Sequence, residues 1–349
     1  MAIFRPQSLD SALSNGPVPL IWYARCPTLT AIGLVANRGV FQREFRRENI
    51  RLISVRESAA AAIRQGYLDH SLPSLVREAD AATAMWAHGL NAQSRLLAVG
   101  RAWHSVSLVT RGRQGVRRLS DLAGRRLSLP REAGSFSPAQ VRALRVWETV
   151  LKVGGVAQAD IEFVPVAADH PSVPFGDIAR REIEALLGGH TDAALLFGAK
   201  GLELARAAHL TEAHRFTAED IRRDPALSGL IELRTLTVDH ALLDAHEEVV
   251  TRIVAILLEA GHWAAAFPRE ALHQVALEGQ VEEGDAAEAY GGLIADGAVL
   301  RLGDDRLAAL AEVQAWLKAR HLVPEAHHIG PWLRPEVLRD AEVRLRAVA

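Results

Sequence analysis

The sequence predicts an α/β fold of two lobes with a cleft between them. Short strand-like apolar runs alternate with helical patterns, the signature of α/β architecture with mainly parallel sheets. A second block of such runs starts near Val106, and "LIELRTLTV", Leu230 to Val238, leads the chain back to the first block. With 349 residues, 49% of them apolar, the chain is long enough to fill a core in each lobe. The expected division is residues 1–105 plus 231–349 for lobe I, whose C-terminal part is helical, and residues 106–230 for lobe II. A lobe inserted within a lobe needs two crossovers, which make a hinge with a cleft beneath it.

In order, "VPLIWYA" reads as the first strand and "TAIGLVANRGVFQREF" as a helical stretch with Gly39 at a C-cap. "IRLISV" reads as the second strand and "SRLLAVG" as the third. In the second block, "VSLVTR" is a strand, and "LSDLAGRRLSLP" gives a helical turn, a glycine and a new strand. "GSFSPAQVRALRVWETVLKVGG" has serine and proline in its first turn and a Gly-Gly stop, so it predicts a long helix. "IEFVPV", a helix over Asp177–Leu187, and "DAALLF" complete the lobe. Helices are expected near 245–266, 269–278, 285–295 and 304–320.

Composition excludes several classes. Forty basic against forty-two acidic residues give a net charge of −2, the wrong balance for a nucleic-acid binder. The longest apolar segment, Val249 to Phe267, carries Arg252, Glu259 and His262, which fits a packed amphipathic helix better than a membrane span. One cysteine cannot form an internal disulfide, and the N-terminal residues lack the pattern of a secretory signal, so a cytoplasmic protein is expected. His327 and His328 are adjacent, a poor arrangement for chelating one ion, and no P-loop or G-x-G-x-x-G occurs. Neither a metal nor another cofactor is expected.

Two stretches carry more specific information. "LSDLAGRRLSLPREAGS" resembles the second-lobe entry of the type II solute-binding proteins for sulfonates, nitrate and thiamine precursors. "RQGYLDHSLPSLVREADAATAMWAHGLNAQSRLLAVG", taken with Cys26–Pro27, resembles the 2′-hydroxybiphenyl-2-sulfinate desulfinases, which use the same two-lobed, periplasmic-binding-protein-like fold without a cofactor. The resemblance implies a carbon–sulfur lyase acting on an aryl sulfinate or related aromatic anion in the cleft. It implies that Cys26, His70 and Arg77 are catalytic, with Pro27 and Tyr67 beside them. An ungapped match puts Tyr67 where the family has its histidine, and a small gap puts His70 there. The family's two glycines are Ala79 and Asp80 here, which sets a carboxylate near the expected anion position. The alternative function is a non-catalytic cytoplasmic binding protein for a small organic anion. In either case the expected partner is a small anion, aromatic in the first, with no nucleic acid and no membrane span, and a monomer is expected.

The chemistry of these residues fits that reading. A thiol works where a helix N-terminus or a cation tunes it, and Cys26 just precedes a helical pattern. The plainer alternative is a small buried hydrophobe. His70 in a loop before Pro73 could move a proton or simply cap the helix expected after that proline, and Arg77 on that helix could clamp an anion or sit in a surface ion pair. Tyr67 could give a proton as a phenol or pack. Ser135 and the amides of the helix after it suit an oxyanion, although capping alone explains a serine there. Phe136, Phe175 and Phe197 could wall an aromatic substrate, with core packing as the alternative.

Overall fold

The computed structural model describes residues 20–26, 28–58, 60–112, 116–131, 136–167, 179–324 and 327–348. Pro27, Ser135 and Phe175 lie outside the described residues. Its strands are β1 (Leu20–Ala24), β2 (Arg51–Ser54), β3 (Leu75–Asp80), β4 (Ser94–Ala102), β5 (Val106–Thr110), β6 (Arg126–Arg131), β7 (Glu162–Ala167), β8 (Ala194–Phe197), β9 (Thr211–Phe216), β10 (Glu232–Asp239) and β11 (Leu300–Arg301). The helices are α1 (Ala31–Asn37), α2 (Val40–Phe45), α3 (Ala61–Leu68), α4 (Ala81–Asn91), α5 (Pro138–Gly154), α6 (Arg180–Leu187), α7 (Gly198–Ala207) and α8 (Ala218–Arg223). The tail adds α9 (His240–Ala245), α10 (Glu247–Ala266), α11 (Pro268–Gly279), α12 (Glu283–Tyr290), α13 (Ile294–Gly297), α14 (Asp304–Lys318), α15 (Ile329–Trp332) and α16 (Pro335–Val348).

The large sheet has six strands in the order β11-β4-β10-β3-β1-β2. The chain leaves it after β4 and builds a three-stranded sheet, β8-β5-β9, and a parallel pair, β6-β7. It then rejoins the first sheet as β10. The sheets are mixed, which corrects the expectation of mainly parallel ones. Strand β10 enters between β3 and β4 from the far group of sheets and runs antiparallel to both, while β8 and β9 run antiparallel to β5.

Strand β10 was legible as a strand; its neighbour β3 was not, because the segment after Pro73 is read as a helix. Leu75–Asp80 is instead a central strand, paired parallel to β1 and antiparallel to β10. Its alternation is hidden because both faces are buried. "SRLLAVG" is therefore the fourth strand. The stretch after β1 forms two helices. Gly39 takes a left-handed conformation (φ 65°) and opens α2 after α1 has ended at Asn37. The predicted 285–295 helix ends at Tyr290, where Gly291 turns with φ 53°.

The main core lies between the large sheet and the helices α1, α10 and α16. Helix α10 is long and apolar enough to cross a membrane by length and composition. Its Val250, Ile253, Val254 and Leu257 are fully buried in this core. A second core, centred on Trp147 of α5, fills the group of smaller sheets.

Candidate active site

The backbone register brings the site together. Ala24 of β1 pairs with Arg77, so Cys26, two residues further on, arrives level with the end of β3. There its thiol donates to the Glu78 carbonyl at 3.7 Å. On the other side of β3, Arg234 of β10 pairs with Asp80. Cys26 thus stands at the carboxyl end of a parallel strand, where α/β sheets form their ligand crevices.

The charges of two arginines act on it. Arg77 is fully buried, and its Nη1 donates to the carbonyls of Tyr67 and Leu68 at 2.8 and 2.9 Å. Its Nε and Nη2 have no hydrogen-bond partner among the described residues. Burial pushes its guanidinium down to about 10, which leaves it charged at neutral pH. Arg234 is equally buried and donates through Nη2 to Thr28, two residues after Cys26, and to Glu232 at 3.1 Å. Its Nε and Nη1 also lack partners among the described residues. Burial opposes the charge of Arg234, but Glu232, Cys26 and Glu78 together more than offset that cost and raise it.

The thiol itself is pushed up by burial, with the Arg234 guanidinium opposing the rise. A raised thiol holds its proton. Tyr67 of α3 is raised as well, through burial and the nearby Cys26, so it is a phenol and not a phenolate. Glu78 points to the opposite face from Arg77 and accepts the Ile32 amide at 3.0 Å. Burial brings its carboxyl up to about 7.

The site residues read from the sequence are distributed as follows. Cys26, Tyr67 and Arg77 come together. His70 does not join them in the role expected of it. It is 1% exposed, held in a left-handed turn (φ 59°), and its Nε2 lies 3.1 Å from the Thr237 hydroxyl. That hydroxyl donates to the Arg77 carbonyl at 3.3 Å, so His70 supports the strand that carries Arg77. Burial and the Arg77 charge hold the imidazole well below its usual range, hence neutral. Phe136 stacks on Trp86 with ring centres 4.7 Å apart and is buried in a core cluster, where packing accounts for it. Phe197, at the end of β8, lies under the Arg142 guanidinium at 4.2 Å and lines a small recess with Asp80, His104, Arg142, Arg145 and Glu232.

Sequence reasoning missed Arg234 and Glu232. Their signal was present: two charges in a run otherwise reading as a buried strand. Asp80, noted as a departure, has a structural task in capping α4, accepting from the amides of Ala82 and Thr83. Among the described residues, no three His, Cys, Asp or Glu side chains gather as metal ligands.

By sequence, the chain matches no family model and no curated protein. By structure it is similar to the desulfurization enzyme DSZB, solved alone and as a cysteine-to-serine mutant in complex with biphenyl-2-sulfinic acid. The TM-score is 0.75 in each case, with 22% identity over 93% of this chain and 99% of that one. It is also similar to a putative sulfonate-transporter component, the periplasmic sulfonate-binding protein SsuA from Methylobacillus flagellatus KT. There the TM-score is 0.68, with 15% identity over 94% of this chain and 96% of that one. The fold is therefore the two-lobed, periplasmic-binding-protein-like α/β architecture shared by a desulfurization enzyme and sulfonate-binding proteins.

Proposed function

We propose that this protein is a cofactor-independent carbon–sulfur lyase that acts on an aryl sulfinate or a related aromatic anion, with Cys26 as the proton donor. One observation carries the reading: the charges of two fully buried arginines act at the sole cysteine of the chain, and each arginine has two guanidinium nitrogens with no hydrogen-bond partner among the described residues. Buried donors without partners are costly, and an anion's oxygens would satisfy them. The fold shared with DSZB and with sulfonate-binding proteins supports the same ligand class.

The state of the thiol favours proton donation over nucleophilic attack, since the thiolate is the nucleophilic form and burial disfavours it. Arg77 and Arg234 hold the sulfinate oxygens. The ring takes the thiol proton at the carbon bearing sulfur, the carbon–sulfur bond breaks, and its electron pair returns to the ring. Sulfur dioxide leaves and water converts it to bisulfite. The proton released in that hydration restores the thiol. The thiolate formed in passing faces Arg234, which stabilises it where charge develops.

The test is sulfite release from 2-phenylbenzenesulfinate, with Cys26→Ser as the control. Release by the native chain and none by Cys26→Ser is expected. Binding of the sulfinate without sulfite, unchanged in Cys26→Ser, would overturn catalysis and leave an organic-anion binder.

A further inference from the structure

A chain of polar contacts runs from helix α5 to the loop that carries Cys26. Arg142 of α5 lies over Phe197 and reaches the Glu232 carboxylate at 3.5 Å. The His104 ring sits between them, with Nε2 2.9 Å from Arg142 Nη2 and 3.0 Å from Glu232 Oε2. The other oxygen of Glu232 takes Arg234 at 3.1 Å, and Arg234 donates to Thr28. Glu232 is thus shared between an arginine from the helix packed on the smaller sheets and an arginine beside the thiol. Its carboxyl stays well below the usual range, because the two arginines and His104 outweigh its burial.

The surroundings of the sulfur single out Arg234. The charged or titratable groups that act on it are Arg234 and Glu232 from β10, Arg77 and Glu78 from β3, Tyr67 from α3, and Arg56 from the turn after β2. Arg77 is anchored to carbonyls of α3, whereas Arg234 is tied to the Cys26 loop itself through Thr28. Glu78 and Glu232 add negative charge near the thiol. A carboxylate shared with Arg142 pulls less strongly on Arg234 than one that is not.

We infer that Arg234 is a catalytic residue of the thiol site, the cation that meets the sulfur, and that Arg142, acting through Glu232, is its positioning residue. The approach of helix α5 across the cleft is thereby felt at Cys26. This rests on the reading of Cys26 as a working thiol, but the test needs no turnover.

Cys26 is the only cysteine, so alkylation of the intact chain by iodoacetamide reports on this sulfur alone. The rate is followed against pH, and its midpoint is compared among native protein, Arg234→Met, Arg142→Met and Arg142→Lys. Removing Arg234 should move the midpoint up by about one pH unit, a roughly tenfold loss of thiolate at a pH below it. Arg142→Met should move it the same way by about half as much, and Arg142→Lys should restore it. An unmoved midpoint in Arg234→Met overturns the catalytic role. A midpoint unmoved in Arg142→Met overturns the positioning role, and that variant, at a partly exposed side chain, keeps the test open if Arg234→Met fails to fold. If these shifts occur in a chain that releases no sulfite, the lyase reading and the catalytic role of Arg234 fall, and the coupling of Arg142 through Glu232 and Arg234 to the sulfur stands.

Discussion

The guanidinium of Arg77 is held by the carbonyl of Tyr67 at 2.8 Å, and no carboxylate pairs with it among the described residues. A buried cation fixed by carbonyls keeps its charge available for something else. Its Nη1 is committed to α3, while Nε and Nη2 remain unpaired. Lysine can supply the charge but not this fork. Arg77→Lys should therefore weaken binding of 2-phenylbenzenesulfinate at least tenfold, and Arg77→Met about a hundredfold, by isothermal titration. Equal affinity in all three proteins would remove Arg77 from the site.

Asp80 stands where the resembling family has glycine, and it caps α4. Asparagine caps about as well and carries no charge. Asp80→Asn should keep the melting temperature within a few degrees while raising anion affinity two- to tenfold. That gain corresponds to roughly 1 kcal/mol for one charge removed a few ångströms away. Unchanged affinity would show that Asp80 is electrostatically remote from the ligand.

Glu78 gives stability a pH dependence of known sign. Its carboxyl ionises near 4.5 in an unfolded chain and at about 7 in the fold, because burial favours the protonated form. Between those values the native state holds the extra proton. The contribution is fully present below about 4.5 and is lost as pH rises through 7. Glu78→Gln keeps an acceptor for the Ile32 amide and should remove this loss, roughly 1–3 kcal/mol between pH 5 and 8. Thermal denaturation at the two pH values measures the difference. An identical pH slope in the variant would refute the assignment.

The opposite slope comes from two histidines away from the site. His88 stacks on Trp332 with ring centres 4.9 Å apart and meets His327 edge-on at 5.4 Å. Burial pushes both rings down to about 4, against 6.5 in an unfolded chain. Their contribution is present above about 6.5 and is lost as pH falls toward 4. His88→Phe retains the stack and should flatten the fall in melting temperature between pH 6.5 and 4.5. A variant as acid-sensitive as the native chain would place the effect elsewhere.

Much of the fold was legible, and the part that was not has a physical reason. The strands β1, β2, β4 to β8 and β10 are apolar runs between turn signals, and α5 announces itself through Ser137, Pro138 and the left-handed Gly155. Strand β3 hid because Arg77 and Glu78 interrupt its apolar run, and both are buried by partners remote in sequence. The position of Cys26 followed from its place after β1. Arg234 escaped notice because its role depends on a register between β10 and β3, and a pairing across more than 150 residues leaves no local periodicity to read. His70 came from the family resemblance, by allowing a small gap after Tyr67, and the left-handed turn at φ 59° directs it to Thr237.

The Tyr290 hydroxyl accepts the Leu29 amide at 3.2 Å, and Arg25 pairs with Glu278 at 2.9 Å. The segment bearing the thiol is therefore shaped on both sides by residues from the last quarter of the polypeptide. During synthesis the sulfur emerges more than 200 residues before α11 and α12, yet its setting is assembled only after they have left the ribosome. Until then the nascent protein carries an unguarded thiol, and reactivity of that residue on stalled chains of increasing length would time the completion of the site.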